Sequence, residues 1–175
     1  FEAEPDETEA EAADAAAAVA AGIDPAMLGI FLDEFDSVHA QLEDRLLDWL
    51  DDVSNTKALG EIRRAFHTLK GSGRMVGASE IGDFAWRYEE VLNGLIEDRI
   101  SFSQSLADGL TLATGALNAL RDRLVGESNE LSEQGIQSLS EFARHLNSGG
   151  RPGIDSLADH LPATLLALVL DEAED

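Results

Sequence analysis

His67 stands in the stretch RRAFHTLKGSGRMVG, residues 63–77, where Arg63, Arg64, Lys70 and Arg74 surround a single imidazole. On a helix, residues three, four and seven apart share a face. By that count the neighbours of His67 are Gly60, Arg63, Arg64, Lys70, Gly71 and Arg74, each a cation or a glycine. The apolar stripe of the same segment runs through Ile62, Phe66 and Leu69, so His67 belongs at its edge, open to solvent or a partner. A neutral imidazole nitrogen is a nucleophile, and nearby cations favour the neutral ring. If that nitrogen takes a phosphoryl group, the same cations become partners for its oxygens. Lys70, expected to be exposed so that Lys70→Glu would barely affect stability, would reach from one turn away, with Arg63, Arg64 or Arg74 assisting. Gly71 removes the side chain that would shield the ring, and Ser72 and Gly73 continue the clearing. A helical glycine costs roughly 1 kcal/mol relative to alanine, a penalty that a site needing room explains.

The competing view is an idle surface histidine whose cationic neighbours pair with carboxylates. The chain has 35 Asp and Glu against 12 Lys and Arg, a formal net charge of −23. Such a charge argues against a nucleic-acid or anionic-membrane partner, because both would repel it. No cysteine is present, which excludes disulfides and thiolate metal sites and fits a reducing, cytoplasmic setting. No HExxH pattern suggests a zinc site. The GSGRMVG run follows no strand and lacks the lysine of a P-loop, and no serine sits in a GxSxG elbow. His39, beside Val38 and Leu42, reads as a surface or boundary histidine. His145 and His160 lack trustworthy ligand spacing. Trp49 and Trp86 read as core residues, and Asp33, Glu34, Asp36, Glu43 and Asp44 as a solvated face.

The elements that must hold His67 are helical. Residues 1–22 are almost entirely Glu, Asp and Ala, the composition of an acidic, solvated linker. The chain opens on Phe1 without a basic, apolar leader and looks like a piece of a longer protein. Asp24-Pro25 forms an N-cap followed by proline at the first helical position. From there Leu28, Phe31, Phe35, Val38, Leu42, Leu46 and Trp49 line one helix face to about Asp52. A second helix, from about Thr56 to Val76, carries Leu59, Ile62, Phe66, Leu69 and Val76. A third starts near Ser79 and carries Ile81, Phe84, Tyr88, Val91 and Leu95. The fourth starts after Ser101 with Leu106, Leu110, Leu117, Leu120 and Leu124. Leucine and alanine dominate and no strand alternation is visible, so the class is all-α. Short connections make this an antiparallel up-and-down four-helix bundle over residues 23–126. A fifth amphipathic stretch, Leu131 to Leu146, and the breaker NSGGRPG follow, so 127–175 reads as an additional helix and a linker towards a following domain. The apolar run from Leu161 to Leu170 is about ten residues, short of the roughly 20 that span a bilayer.

The stretch EIRRAFHTLKGSGRMVGA, Glu61 to Ala78, resembles the signature of histidine phosphotransfer (HPt) domains. It is most similar to those of CheA-type chemotaxis kinases and of the large hybrid relatives that control type IV pili. The matching pattern is His67, Lys70-Gly71, Ser72-Gly73 and Gly77, and FLDEF at 31–35 resembles the family's first helix. The resemblance covers about residues 24–125. It implies a four-helix bundle whose histidine takes phosphate from a kinase domain and passes it to a response-regulator aspartate. His67 would then be the phosphorylation site, Lys70 the electrostatic partner and Gly71 the residue granting access. Counting without gaps, the family's imidazole-holding glutamate falls on Glu89, whose hydrogen bond would fix the tautomer and leave Nε2 free.

The sequence therefore predicts a phosphoryl carrier rather than an autonomous enzyme. It would hold no cofactor of its own, with Mg²⁺ and ATP supplied by partner domains. Arg63, Arg64 and Arg74 would steer a receiver domain or a kinase catalytic domain towards His67. The module is expected to be cytoplasmic and monomeric. Two rival expectations are a scaffold bundle in which His67 is incidental, and a ligand-binding bundle with an internal pocket.

Overall fold

In the computed structural model, which describes residues 22–170, helix α1 (Pro25–Asp51) starts at the predicted cap. The Asp24 carboxylate accepts from the Ala26 N–H at 2.8 Å, and Pro25 occupies the first turn, where no N–H is needed. Helix α2 (Thr56–Val76) begins under Asn55, whose side-chain oxygen accepts from the Ala58 N–H at 3.0 Å. It stops at Gly77, whose φ of +93° is open to glycine and strained for other residues. The Ala78 N–H then donates back to the Gly73 carbonyl at 2.7 Å, closing the turn. Helix α3 (Ser79–Ile96) follows immediately, and α4 (Gln104–Leu124) is capped by Ser103.

Cross-helix bonds fix the chain directions. Ser72 donates to Glu34 and Arg45 pairs with Glu61, so α1 and α2 run antiparallel. His67–Glu89 and Arg74–Asp83 do the same for α2 and α3. Asp36–Arg121 joins α1 to α4, and Glu80–Arg123 joins α3 to α4. The result is the expected all-α, up-and-down four-helix bundle. Phe35, Leu42, Ile62, Phe66, Leu69, Tyr88, Leu92, Leu110 and Leu117 fill its interior without measurable exposure.

Helix α5 (Glu133–Asn147) lies across α3 and α4, with Leu139, Ala143 and Leu146 buried. Gly109 of α4 makes room for it, because a Cβ there would come within 2.9 Å of the Leu146 side chain. The short α6 (Asp155–Ala158) and α7 (Ala163–Leu170) bring Leu157, Leu161, Leu165 and Val169 into the same hydrophobic cluster. The segment from Leu131 to Val169 thus shares the core of the bundle. Among the described residues there is no strand, and no helix is long and apolar enough to cross a membrane. The acidic tract expected as a linker lies outside the described residues, apart from Gly22.

Two expectations are corrected. His39 is buried at 5% exposure rather than at the surface. Its Nε2 lies 2.8 Å from the Thr114 carbonyl of α4, its Nδ1 2.8 Å from Glu43, and its ring stacks on Phe35. The reason is helical phase: His39 falls four residues after Phe35 and three before Leu42. Trp86 is half-buried on the outside of α3, not in the core, because it lies off the Phe84–Tyr88–Val91 stripe. The guanidinium of Arg87 sits 4.7 Å from its ring centroid and that of Arg74 6.0 Å. Trp49 is buried as expected, edge-on to Phe102.

Candidate functional site

The site is built where α2 and α3 come closest. A Cβ on Gly73 would sit 3.1 Å from the Gly82 nitrogen, and one on Gly82 would sit 3.2 Å from the Lys70 carbonyl oxygen. Two glycines facing each other thus let the two backbones nearly touch. Gly73 serves this contact and is buried, which corrects the expectation that it clears space around the imidazole. Gly71 does stand clear: it is exposed, and a Cβ there would meet nothing within 4 Å. Ser72 turns away from His67, towards Glu34 on α1.

Two turns along α3 from Gly82, on the same face, lies Glu89. Its side chain is 3% exposed, and three cations or cation-capable groups converge on it. His67 Nδ1 lies 2.8 Å from Oε1. Lys70 Nζ lies 2.7 Å from Oε2, within charge-assisted hydrogen-bond distance. Arg63 approaches Oε1 at 3.7 Å while its Nε donates to Asn93 at 2.6 Å. Burial pushes the Glu89 carboxyl up, but the contacts and charge of Lys70 and His67 outweigh burial and hold it below the usual glutamate value. Glu89 is therefore an ionised carboxylate in a nearly dry place.

An ionised carboxylate only accepts hydrogen bonds, so in the neutral form of the ring the His67 hydrogen resides on Nδ1 and the Nε2 lone pair is free. Nε2 has no hydrogen-bond partner among the described residues, and the side chain is 56% exposed. The arrangement can present a nucleophilic nitrogen to a visiting electrophile and offset the positive charge that the ring gains on reaction.

The other predicted residues separate into two groups. Lys70 was expected in solvent, but its side chain is only 21% exposed, because reaching Glu89 draws it into the α2–α3 crevice. Arg63 is tied to Asn93 and Glu89, and Arg74 to Asp83 at 3.3 Å and to the Trp86 ring. Arg64 is exposed, without an ion-pair partner among the described residues, and lines a groove with Val38, Gln41 and Thr68 between α1 and α2. Sequence reasoning overlooked Asn93, Gly82 and Arg87. Gly82 carried a readable signal, since it follows Ile81 on the inward side of α3.

The family model for the Hpt domain matches residues 26–125, from the second residue of α1 to just past the end of α4. The chain is 30% identical over 98 residues to the Chemotaxis protein CheA of Borreliella burgdorferi, covering 56% of this chain and 11% of that protein. It is 29% identical over 94 residues to the Chemotaxis protein CheA of Listeria monocytogenes, covering 54% of this chain and 15% of that protein. A Gliding motility regulatory protein of Myxococcus xanthus is 32% identical over 96 residues, covering 54% of this chain and 12% of that protein. The match thus spans a small part of the length of these curated relatives. No solved structure matches the chain significantly. With the four-helix bundle, its outward histidine and the family match over more than half of its length, the chain belongs to the Hpt domain family of histidine phosphotransfer modules.

Proposed function

We propose that His67 accepts a phosphoryl group on Nε2 from a kinase catalytic domain and passes it to the aspartate of a response-regulator receiver domain. The observation that carries this reading is the 2.8 Å contact of Nδ1 with buried Glu89, beside an Nε2 without a protein partner. Glu89 orients the ring and opposes its charge after transfer. Lys70 neutralises Glu89 in the resting site and stands one turn from the arriving phosphoryl oxygens. Gly71 leaves the approach open. Arg64, on the same outward stripe as His67, steers the acidic pocket of a receiver, with Arg63 and Arg74 contributing field while held by their own partners.

In this role the chain is a carrier, and the kinase partner supplies ATP and Mg²⁺. The relay operates in the cytoplasm, where ATP is at hand, and its contacts with both partners are small and short-lived. Likeness to chemotaxis and gliding-motility regulators supports a parent pathway that controls movement.

The test is incubation with a chemotaxis-type kinase domain and labelled ATP, followed by acid treatment. Label that is acid-labile and absent from His67→Gln is the expected result. Labelling of His67→Gln at the wild-type level would refute the assignment.

A further inference from the structure

The residue before His67 is Phe66 and the residue before Glu89 is Tyr88; both are without measurable exposure. Their ring centroids lie 6.1 Å apart, directly behind the His67–Glu89 bond. Phe84 packs on the same tyrosine at 5.3 Å. The Tyr88 hydroxyl donates to the Leu139 carbonyl of α5 at 2.7 Å. A phenylalanine would fill the same volume with no hydroxyl to satisfy, so a buried tyrosine here demands α5 at one fixed register. Helix α5 lies beyond residues 26–125, outside the stretch that matches the family.

We infer that Tyr88 is a positioning residue for the phosphotransfer site: its hydroxyl, anchored to α5, fixes the rotation and height of α3 and so the placement of the Glu89 carboxylate on His67. Helix α5 is then a working part of the site although none of its residues reaches the imidazole. A helix can slide or roll slightly on an apolar face at small cost, whereas a hydrogen bond of fixed length cannot follow. The Tyr88–Leu139 bond removes that freedom immediately behind Glu89.

The inference has two arms, of which the rate arm rests on His67 being the phosphoryl acceptor. The first arm reads the His67 ring nitrogens by long-range ¹H–¹⁵N NMR in the full chain, with no phosphate present. Tyr88→Phe is expected to move these shifts from a single Nδ1–H tautomer towards a mixture of both. The second arm uses phosphoramidate as donor. The Nε2 lone pair forms the new N–P bond as the P–N bond of the donor breaks, and the donor nitrogen leaves as ammonia with its own protons. Nδ1 keeps its hydrogen, and the positive charge gained by the ring faces Glu89. Labelling is expected to slow about fivefold in Tyr88→Phe, the equivalent of one net hydrogen bond.

Phe142→Ala loosens α5 on α4 while leaving Tyr88 itself unsubstituted, and carries the test if Tyr88→Phe fails to fold. It is expected to shift the ring signals in the same direction. Wild-type ring shifts in the folded variants would overturn the inference. Failure of phosphoramidate to label wild type, or equal labelling of His67→Gln, would instead overturn the acceptor reading, and the ring shifts alone would then decide the role of Tyr88.

Discussion

Glu89 is nearly sealed from water while the imidazole it holds at 2.8 Å, that of His67, is more than half exposed. The bond therefore joins a dry anchor to a solvent-facing ring. Glu89→Gln keeps the shape but removes the charge, and phosphoryl labelling of His67 should fall by about 10- to 100-fold, the scale seen when carboxylates that orient metal-bound imidazoles are replaced. A pH signature accompanies this. The native pKa of Glu89 is depressed, so the unfolded chain binds more protons in the window below the ordinary glutamate value. Its stabilising contribution is complete above that range and is lost as the pH falls through the native value. Melting curves of wild type and Glu89→Gln should converge as the pH drops through this window; a constant gap would mean that the carboxylate is not held by charge.

Lys70→Glu was expected from the sequence to leave stability almost untouched. The structure reverses that expectation, because Lys70 is largely enclosed and neutralises Glu89. A second carboxylate there faces the first in a poorly hydrated crevice. A loss of about 2 kcal/mol, equivalent to a melting point roughly 4–8 °C lower, is expected alongside slower phosphotransfer. Lys70→Met separates the two effects by removing the charge without adding another.

Glycines 71 and 73 should respond oppositely to alanine. Gly71→Ala meets open space and adds helix propensity, so it should stabilise the chain by up to about 1 kcal/mol. Gly73→Ala drives a methyl to within 3.1–3.3 Å of the Gly82 backbone, which cannot yield as a side-chain tip can. It should lower the melting point and spread α2 from α3, lengthening the His67–Glu89 contact. Gly71→Leu should leave the fold intact while obstructing transfer to a protein partner. Normal transfer by Gly71→Leu would disprove the access role.

Asp108, on α4, is 7% exposed, with Gln104 donating to it at 3.0 Å. Burial raises its carboxyl and Gln104 only partly opposes this. The folded chain thus holds the proton more tightly than the unfolded chain, and ionisation at neutral pH works against folding. Asp108→Asn should raise the melting point at pH 7, by about 2–4 °C per kcal/mol recovered. The advantage should shrink as the pH falls through the raised value and wild type takes up its proton.

Helix boundaries were readable because end signals are local: Asp24-Pro25 caps the start of α1 with neighbouring atoms alone, and Gly77 ends α2 just past Val76. The exposed imidazole was readable too, since the position of His67 is defined by its own helix. What escaped is whatever depends on a second helix. Gly73 looked like a clearing until Gly82 was placed against it, and Lys70 looked solvated until Glu89 arrived from α3. Glu89 itself was reached through family resemblance rather than spacing. The misreadings of His39 and Trp86 had a remedy within the sequence. His39 shares the phase of Phe35 and Leu42, whereas Trp86 is out of step with Phe84 and Tyr88, so strict counting separates buried from exposed in both.

The carboxylate of Glu89 stands between an ammonium and an imidazole that are both already in place. For the proposed relay, the ring can become cationic and revert without any dipole having to swing round, so solvent-like rearrangement adds little to the barrier on either leg. In that relay, loading and unloading would share one preset electrostatic mould.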